Sequence, residues 1–160
     1  MKRNATDIPT GPAPHPAGGF TLIEMMITMV VLAILGAIAI PIYQSQVRES
    51  RRTDARTALL ELAAREERYY ATNNAYTADP ASLGYSGFGT KYPVGNGYYY
   101  LDTPTFSNTA SPPSFSLEAQ PEPGTDQVND AACTTFSVDS TGAQTATGSG
   151  TNPSSACWGP

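Results

Sequence analysis

Residues 20–43 are apolar at nearly every position, and from residue 44 onward the apolar positions thin to a stripe at helical spacing. The first run holds 24 residues and one charge, Glu24. At about 1.5 Å per residue it reaches about 36 Å, against a hydrocarbon core of about 30 Å, so the pattern predicts a membrane-spanning helix. Pro41, near the outer end, removes one helical hydrogen bond and predicts a bend or local loosening. Gly36, with Ala33, Ala37 and Ala39, offers small surfaces where neighbouring helices approach closely. In 44–71, Val47, Ala55, Leu59, Leu62, Ala63 and Tyr70 recur at steps of three and four, the mark of an amphipathic helix with one face to be covered. No proline interrupts 42–79, so span and stripe are expected to form one helix of roughly 50 residues.

Beyond that helix the pattern breaks. Residues 72–93 turn to Asn, Gly, Ser and Tyr and read as a long connection with little regular structure. Short runs with strand character follow at 98–101, 114–119 and 134–139, the last two alternating with period two, with Phe115, Leu117 and Ala119 on one face and Phe136 and Val138 on another. Ser140-Thr141-Gly142 supplies a turn into 143–147, closing a hairpin. Three or four antiparallel strands laid on the apolar stripe predict an α+β head.

Chemistry enters with Glu24. A carboxylate at a membrane helix centre costs roughly 2.5 to 3.5 kcal/mol on insertion scales, so its presence asks for a partner or a task. The string Gly18-Gly19-Phe20-Thr21-Leu22-Ile23-Glu24, followed by the long apolar run, resembles the processing site of type IV pilins and pseudopilins. The resemblance implies that a prepilin peptidase cuts after Gly19, that Phe20 becomes an N-methylated terminus, and that residues 20–43 later leave the membrane to pack in a filament core, where the region of Pro41 partly unwinds. Residues 1–19 are then a cytoplasmic leader, with Lys2 and Arg3 at its start and a Pro/Gly-rich stretch at 9–19 that cannot hold a helix. A secretory signal cut near Ala37-Ile38-Ala39 is the rival; the run is too long for a signal core of about 7 to 15 residues, and it contains an acid. The domain plan is leader 1–19, transmembrane and polymerisation helix 20–43, amphipathic helix 44–71, and head 72–160.

Cys133 and Cys157, the only cysteines, are expected to pair in an exported domain, closing a loop of about 25 residues worth roughly 3 to 4 kcal/mol. The enclosed segment is rich in Ser, Thr, Gly and Asn and has little else to bury. This terminal loop resembles the pilin D-region, and Cys133, the hairpin and Cys157-Trp158 are together similar to PilE-type minor pilins. Four arginines (Arg48, Arg51, Arg52, Arg56) follow the span and only Lys2 and Arg3 precede it, so the count of cations alone places the C-terminus inside. The disulfide-capable head and the leader resemblance place it outside.

The chain of 160 residues has room for one ordinary domain besides a span. Loss of the leader takes basic residues from 9 to 7, acidic from 14 to 13, and net charge from −5 to −6, so the overall field does not attract DNA and contact with DNA would need a local basic patch. The sole histidine, His15, is in the leader, leaving no imidazole for a triad or a typical zinc site. No phosphate-binding Gly-rich loop with Lys occurs, so nucleotide hydrolysis has to come from a partner, which the pilin resemblance implies is an inner-membrane assembly platform driven by separate ATPases. Asp126, Asn129 and Asp130, near Glu122, lack calcium-loop spacing and read as solvated loop acids. The six arginines and five acids of 48–68 read as a solvated helix face with local pairs such as Glu61 with Arg65, or else as bridges between subunits. Tyr98-Tyr99-Tyr100 reads as a strand packed on both faces rather than a stacking platform.

No catalytic residue, cofactor or metal is expected. Glu24 is expected to balance the terminal amine of its own or a neighbouring subunit and so guide docking during extraction from the membrane. The resemblance thus implies a filament subunit, anchored in the bacterial inner membrane with its N-terminus cytoplasmic and then extracellular in the pilus. Its partners would be major and minor pilins, and its roles priming, adhesion, twitching motility or DNA uptake. Major pilin, secretion pseudopilin and membrane-anchored binding protein stand as alternatives.

Overall fold

The computed structural model describes residues 19–86 and 91–159. The leader, with His15 and Gly18, lies outside the described residues apart from Gly19. The chain divides into two units, Met1–Ile40 and Pro41–Pro160. Helix α1 (Leu22–Asn73) contains Pro41 and is long and apolar enough to cross a membrane, with a mean hydropathy of 2.6 in its best window. None of that window is buried. Ile23, Met26, Ile27, Val30 and Leu35, each at least half exposed, illustrate the first unit's uncovered apolar surface.

In the second unit the stripe of α1 is covered. Ala55, Leu59 and Leu62 are buried at steps of four and three, where helical geometry stacks side chains on one face. They pack with Tyr99, Leu101, Phe115, Leu117, Ala119, Phe136 and Val138 from the sheet. Six antiparallel strands form that sheet: β1 (Lys91–Val94), β2 (Tyr99–Asp102), β3 (Thr105–Ser107), β4 (Ser114–Pro121), β5 (Thr135–Asp139) and β6 (Gln144–Thr147). The order is β1-β2-β4-β5-β6, with β3 pairing the start of β4 while β2 pairs its end. A 3₁₀ turn (Asp126–Asn129) precedes Cys133, and a short helix α2 (Pro153–Trp158) carries Cys157.

The α+β class holds, and the strand count is corrected from three or four to six. Strand β1 falls partly in the segment read as a connection, because Lys-Tyr-Pro-Val lacks clean alternation and Pro93 argues against a strand interior. At a sheet edge the missing N–H of Pro93 costs no ladder bond, and Lys91 and Pro93 also discourage pairing with another chain. Strand β3 has three residues and follows Pro104, too short to leave a periodic signal. At the other edge, Ser154 Oγ accepts from the Ala146 N–H at 3.0 Å and Trp158 Nε1 donates to the Thr145 carbonyl at 2.8 Å. Helix α2 thus occupies the polar groups that β6 would otherwise expose.

Turn chemistry behaves as the residues dictate. The Asp139 carboxylate accepts from the backbone N–H of Thr141 at 2.8 Å and of Ala143 at 3.0 Å, and Gly142 takes φ 78°, which completes the β5–β6 hairpin. Those bonds hold the Asp139 carboxyl below its usual pKa, the Thr141 hydroxyl contributing most. The disulfide between Cys133 and Cys157 is formed, with both cysteines fully buried. A Cβ at Gly148 would drive into the Ala132 carbonyl, so only glycine lets β6 leave the sheet this close to the bridge.

Candidate functional site

The first region of interest is the start of α1. Glu24 donates its backbone N–H to Thr21 Oγ1 at 3.2 Å, and the Thr21 N–H reaches back to Glu24 Oε2 at 3.5 Å. This reciprocal arrangement is a capping box, which satisfies two of the four N–H groups a helix start leaves unpaired. Thr21 was not singled out from sequence, although Thr-x-x-Glu before an apolar run is its legible signature. The cap occupies Glu24 weakly, since its carboxylate is exposed and its one contact is long. An acid set among exposed Leu22, Ile23, Met25 and Met26 therefore keeps its capacity for a cation from elsewhere. Gly19 and Phe20 precede the helix and are exposed.

The second region fixes the disulfide-closed loop to α1. Arg52 donates from Nε to Asp130 Oδ2 at 2.7 Å and from Nη2 to Asp130 Oδ1 at 2.8 Å, a two-pronged pair whose carboxylate is 3% exposed. Asp130 raises the pKa of Arg52 chiefly through that hydrogen bond. Gln127, fully buried, donates to both Asp130 and the Tyr99 hydroxyl at 2.9 Å, and burial pushes the Tyr99 phenol up to about 12. Arg56 donates to the Trp158 carbonyl at 3.2 Å and pairs with Glu49 at 2.6 Å. Asp130 is therefore not the solvated loop acid expected from sequence: the cation that draws it inward is 78 residues away in the chain. For the same reason the arginines of α1 are only partly a solvated face. The local pair does form, Arg65 Nη2 lying 2.6 Å from Glu61 Oε1.

Tyr99 and Tyr100 are buried and Tyr98 is half-buried beneath Arg51. Tyr99 and Tyr100 are packed within β2, whereas Tyr98, read from sequence as part of the same strand, lies in the turn before it.

The third region joins the end of α1 to the loop after it. Tyr76 stacks on Tyr70 at 4.7 Å and meets Phe115 edge-on at 4.8 Å, and its hydroxyl donates to Glu67 at 3.0 Å. Its backbone N–H donates to Asn108 Oδ1 at 2.9 Å. Beneath this clamp lies Glu66, fully buried, accepting one bond at Oε2 from the Thr77 N–H at 3.2 Å while Oε1 has no partner. Burial raises its pKa to about 7, with the neighbouring Glu67 charge adding to the rise. Sequence reasoning counted Glu66 only among the helix acids; its i+4 step from Leu62 placed it on the buried stripe.

Comparison with known proteins bears on most of the chain, residues 15–137. Residues 41–137 match the family model described as type IV minor pilin ComP, DNA uptake sequence receptor, and residues 15–40 match the prokaryotic N-terminal methylation motif. The fimbrial protein EcpC of Eikenella corrodens is 38% identical over 66 residues, which cover 41% of this chain and 43% of that protein. The chain thus spans less than half the length of that relative. Core protein G of the type II secretion system of Pseudomonas aeruginosa is 31% identical over 102 residues, 52% of this chain and 72% of that protein. A solved type IV pilin from Shewanella oneidensis, 29% identical, aligns with a TM-score of 0.42 over 61% of this chain and 89% of its own.

Proposed function

Because the chain belongs to the type IV pilin family of structural filament subunits, we propose that it is a non-enzymatic minor pilin that helps to prime filament assembly. In this reading a prepilin peptidase cuts between Gly19 and Phe20 and methylates the new amine. The precursor sits in the inner membrane with its N-terminus cytoplasmic until an ATPase-driven platform extracts it. Residues 20–43 then exchange lipid for the same segment of neighbouring pilins, and Pro41 lets the helix adjust.

The observation that carries this reading is the exposed Glu24 carboxylate within an apolar surface that none of the described residues covers. Lipid accepts the apolar side chains and penalises the acid, whereas a packed array offers the acid a terminal amine in register. Replacing Glu24 with Ala, in protein whose N-terminus still sequences as Phe20, is expected to reduce incorporation into filaments at least about tenfold, the effect of losing ~1.4 kcal/mol. Normal incorporation of the processed variant would overturn the role of Glu24.

The description of the matched family supports a second reading, a receptor for DNA in uptake. The charges here weigh against it: Lys91 is the only basic residue in 72–160, and Arg52, Arg56 and Arg65 already hold carboxylates, which leaves Arg48, Arg51 and Arg68 as the α1 cations open to a phosphate backbone. Binding of the processed protein to duplex DNA is expected to be absent across a salt series. An affinity that falls steeply with salt would reinstate the receptor reading.

A further inference from the structure

Three arginines of α1, Arg48, Arg51 and Arg68, hold no carboxylate among the described residues, and the first two lie together. Arg52, Arg56 and Arg65 each hold a carboxylate within 2.7 Å. Arg51 instead lies over the Tyr98 ring, 3.6 Å from its centroid, and Arg48 has no hydrogen-bonding or ionic partner among the described residues. With Tyr43, Gln44, Val47 and Asp126 they line a cavity of about 260 Å³. Residues 43, 44, 47, 48 and 51 share one helical face, and Asp126 enters from the 3₁₀ turn.

The lining is chemically mixed in a particular way. Two guanidiniums suit a phosphodiester, which they bind through planar, forked donors. Asp126 opposes a simple anion at the same place and suits an ammonium a few ångströms from the phosphate. The volume falls just under the 300 to 1,000 Å³ typical of sites for drug-sized ligands, which fits a small headgroup. Position supplies a further argument. The apolar run ends at Tyr43, an interfacial residue type, and Arg48 follows about 7.5 Å further along the helix. The headgroup layer of a bilayer is about 5 to 8 Å deep on each side.

We propose that this cavity binds the zwitterionic headgroup of a phosphoethanolamine phospholipid in the membrane that holds the unassembled subunit. Arg48 and Arg51 take the phosphodiester, and Asp126 accepts from the primary ammonium. The site would hold the waiting subunit at a set depth, and extraction would free both guanidiniums. The inference rests on the membrane-anchored precursor and not on any choice between major and minor subunit.

The test uses processed full-length protein in lipid nanodiscs of phosphatidylcholine alone, or with phosphatidylethanolamine or phosphatidylglycerol added, with native mass spectrometry of the lipids retained. Several-fold preferential retention of phosphatidylethanolamine is expected. It should disappear in the double variant Arg48→Gln, Arg51→Gln, and Asp126→Asn should bring phosphatidylglycerol up to equal retention. Circular dichroism and an intact disulfide confirm that the variants fold. Equal retention of all three lipids by the wild type, or unchanged preference in the variants, overturns the proposal. Displacement of the lipid by inorganic phosphate alone would assign a soluble phosphate site instead. Duplex DNA bound through the same two arginines, with no lipid preference, would assign them to nucleic acid. Incorporation of the Glu24 variant into filaments is scored separately, so either result stands without the other.

Discussion

At the scale of single residues, the buried Glu66 makes the head's stability depend on pH. Glu66 has an ordinary pKa of 4.5 and is raised to about 7 by burial in the folded chain. Below about pH 4.5 both folded and unfolded chains carry the proton and the residue is neutral to stability. Between about pH 4.5 and 7 the folded chain retains a proton that the unfolded chain releases, so this residue's contribution falls as pH rises and levels off above about pH 7. The full loss is roughly 3 kcal/mol. Replacing Glu66 with Gln should therefore raise the melting temperature at pH 7.5 and flatten its fall between pH 5 and 7. A wild-type slope retained in the variant would assign the titration to another group. Asp130 is the opposite case, an acid whose removal strands a cation. Replacing it with Ala leaves Arg52 largely desolvated, with only the more exposed Glu49 as a charge partner. The expected cost is about 3 kcal/mol by chemical denaturation, the lower end for breaking a buried pair.

At the scale of elements, the C-terminal segment depends on a few discrete ties. Helix α2 has six residues, far too short to be stable in isolation. It is held by the Cys133–Cys157 bridge, by Ser154 and Trp158 on the edge of β6, and by Arg56 on the Trp158 carbonyl. Replacing both cysteines with Ser should cost roughly 3 to 4 kcal/mol in the chain-entropy account. The loss should be local first, because this segment has few other buried contacts. Hydrogen exchange is expected to rise in 144–158 while β2 and β4 keep their protection. Uniform loss of protection across the head would mean that the bridge supports the whole sheet.

At the scale of the whole molecule, its two units meet opposite fates with apolar surface. The second buries its stripe under a sheet, and the first leaves the apolar side chains of 20–40 open among the described residues, a surface suited to lipid or to other copies of the same segment. Lipid alone would satisfy that surface; it is membership of the type IV pilin family that makes the chain a structural subunit. Abundance then separates the kinds of subunit: as a minor pilin it should make up a small fraction of purified filaments by quantitative mass spectrometry. Abundance matching that of the principal subunit would make it a major pilin.

The apolar run, the stripe at Ala55, Leu59 and Leu62, and the alternation at Phe115 to Ala119 were legible because each is a local period set by helix or strand geometry. The Gly-Gly-Phe-Thr-Leu-Ile-Glu string carried its family resemblance for the same reason, since processing reads contiguous residues. Strands β1 and β3 were not legible, being too short to show a period and depending on β2 and β4 for their hydrogen bonds. Nor were the surroundings of Asp130, Glu66 and Arg48, one drawn inward by a distant cation, one buried on an apolar stripe and one beside a cavity without an ionic partner among the described residues. Local sequence sets which face of an element is apolar; only packing against distant elements sets the dielectric and the charges that each polar group meets.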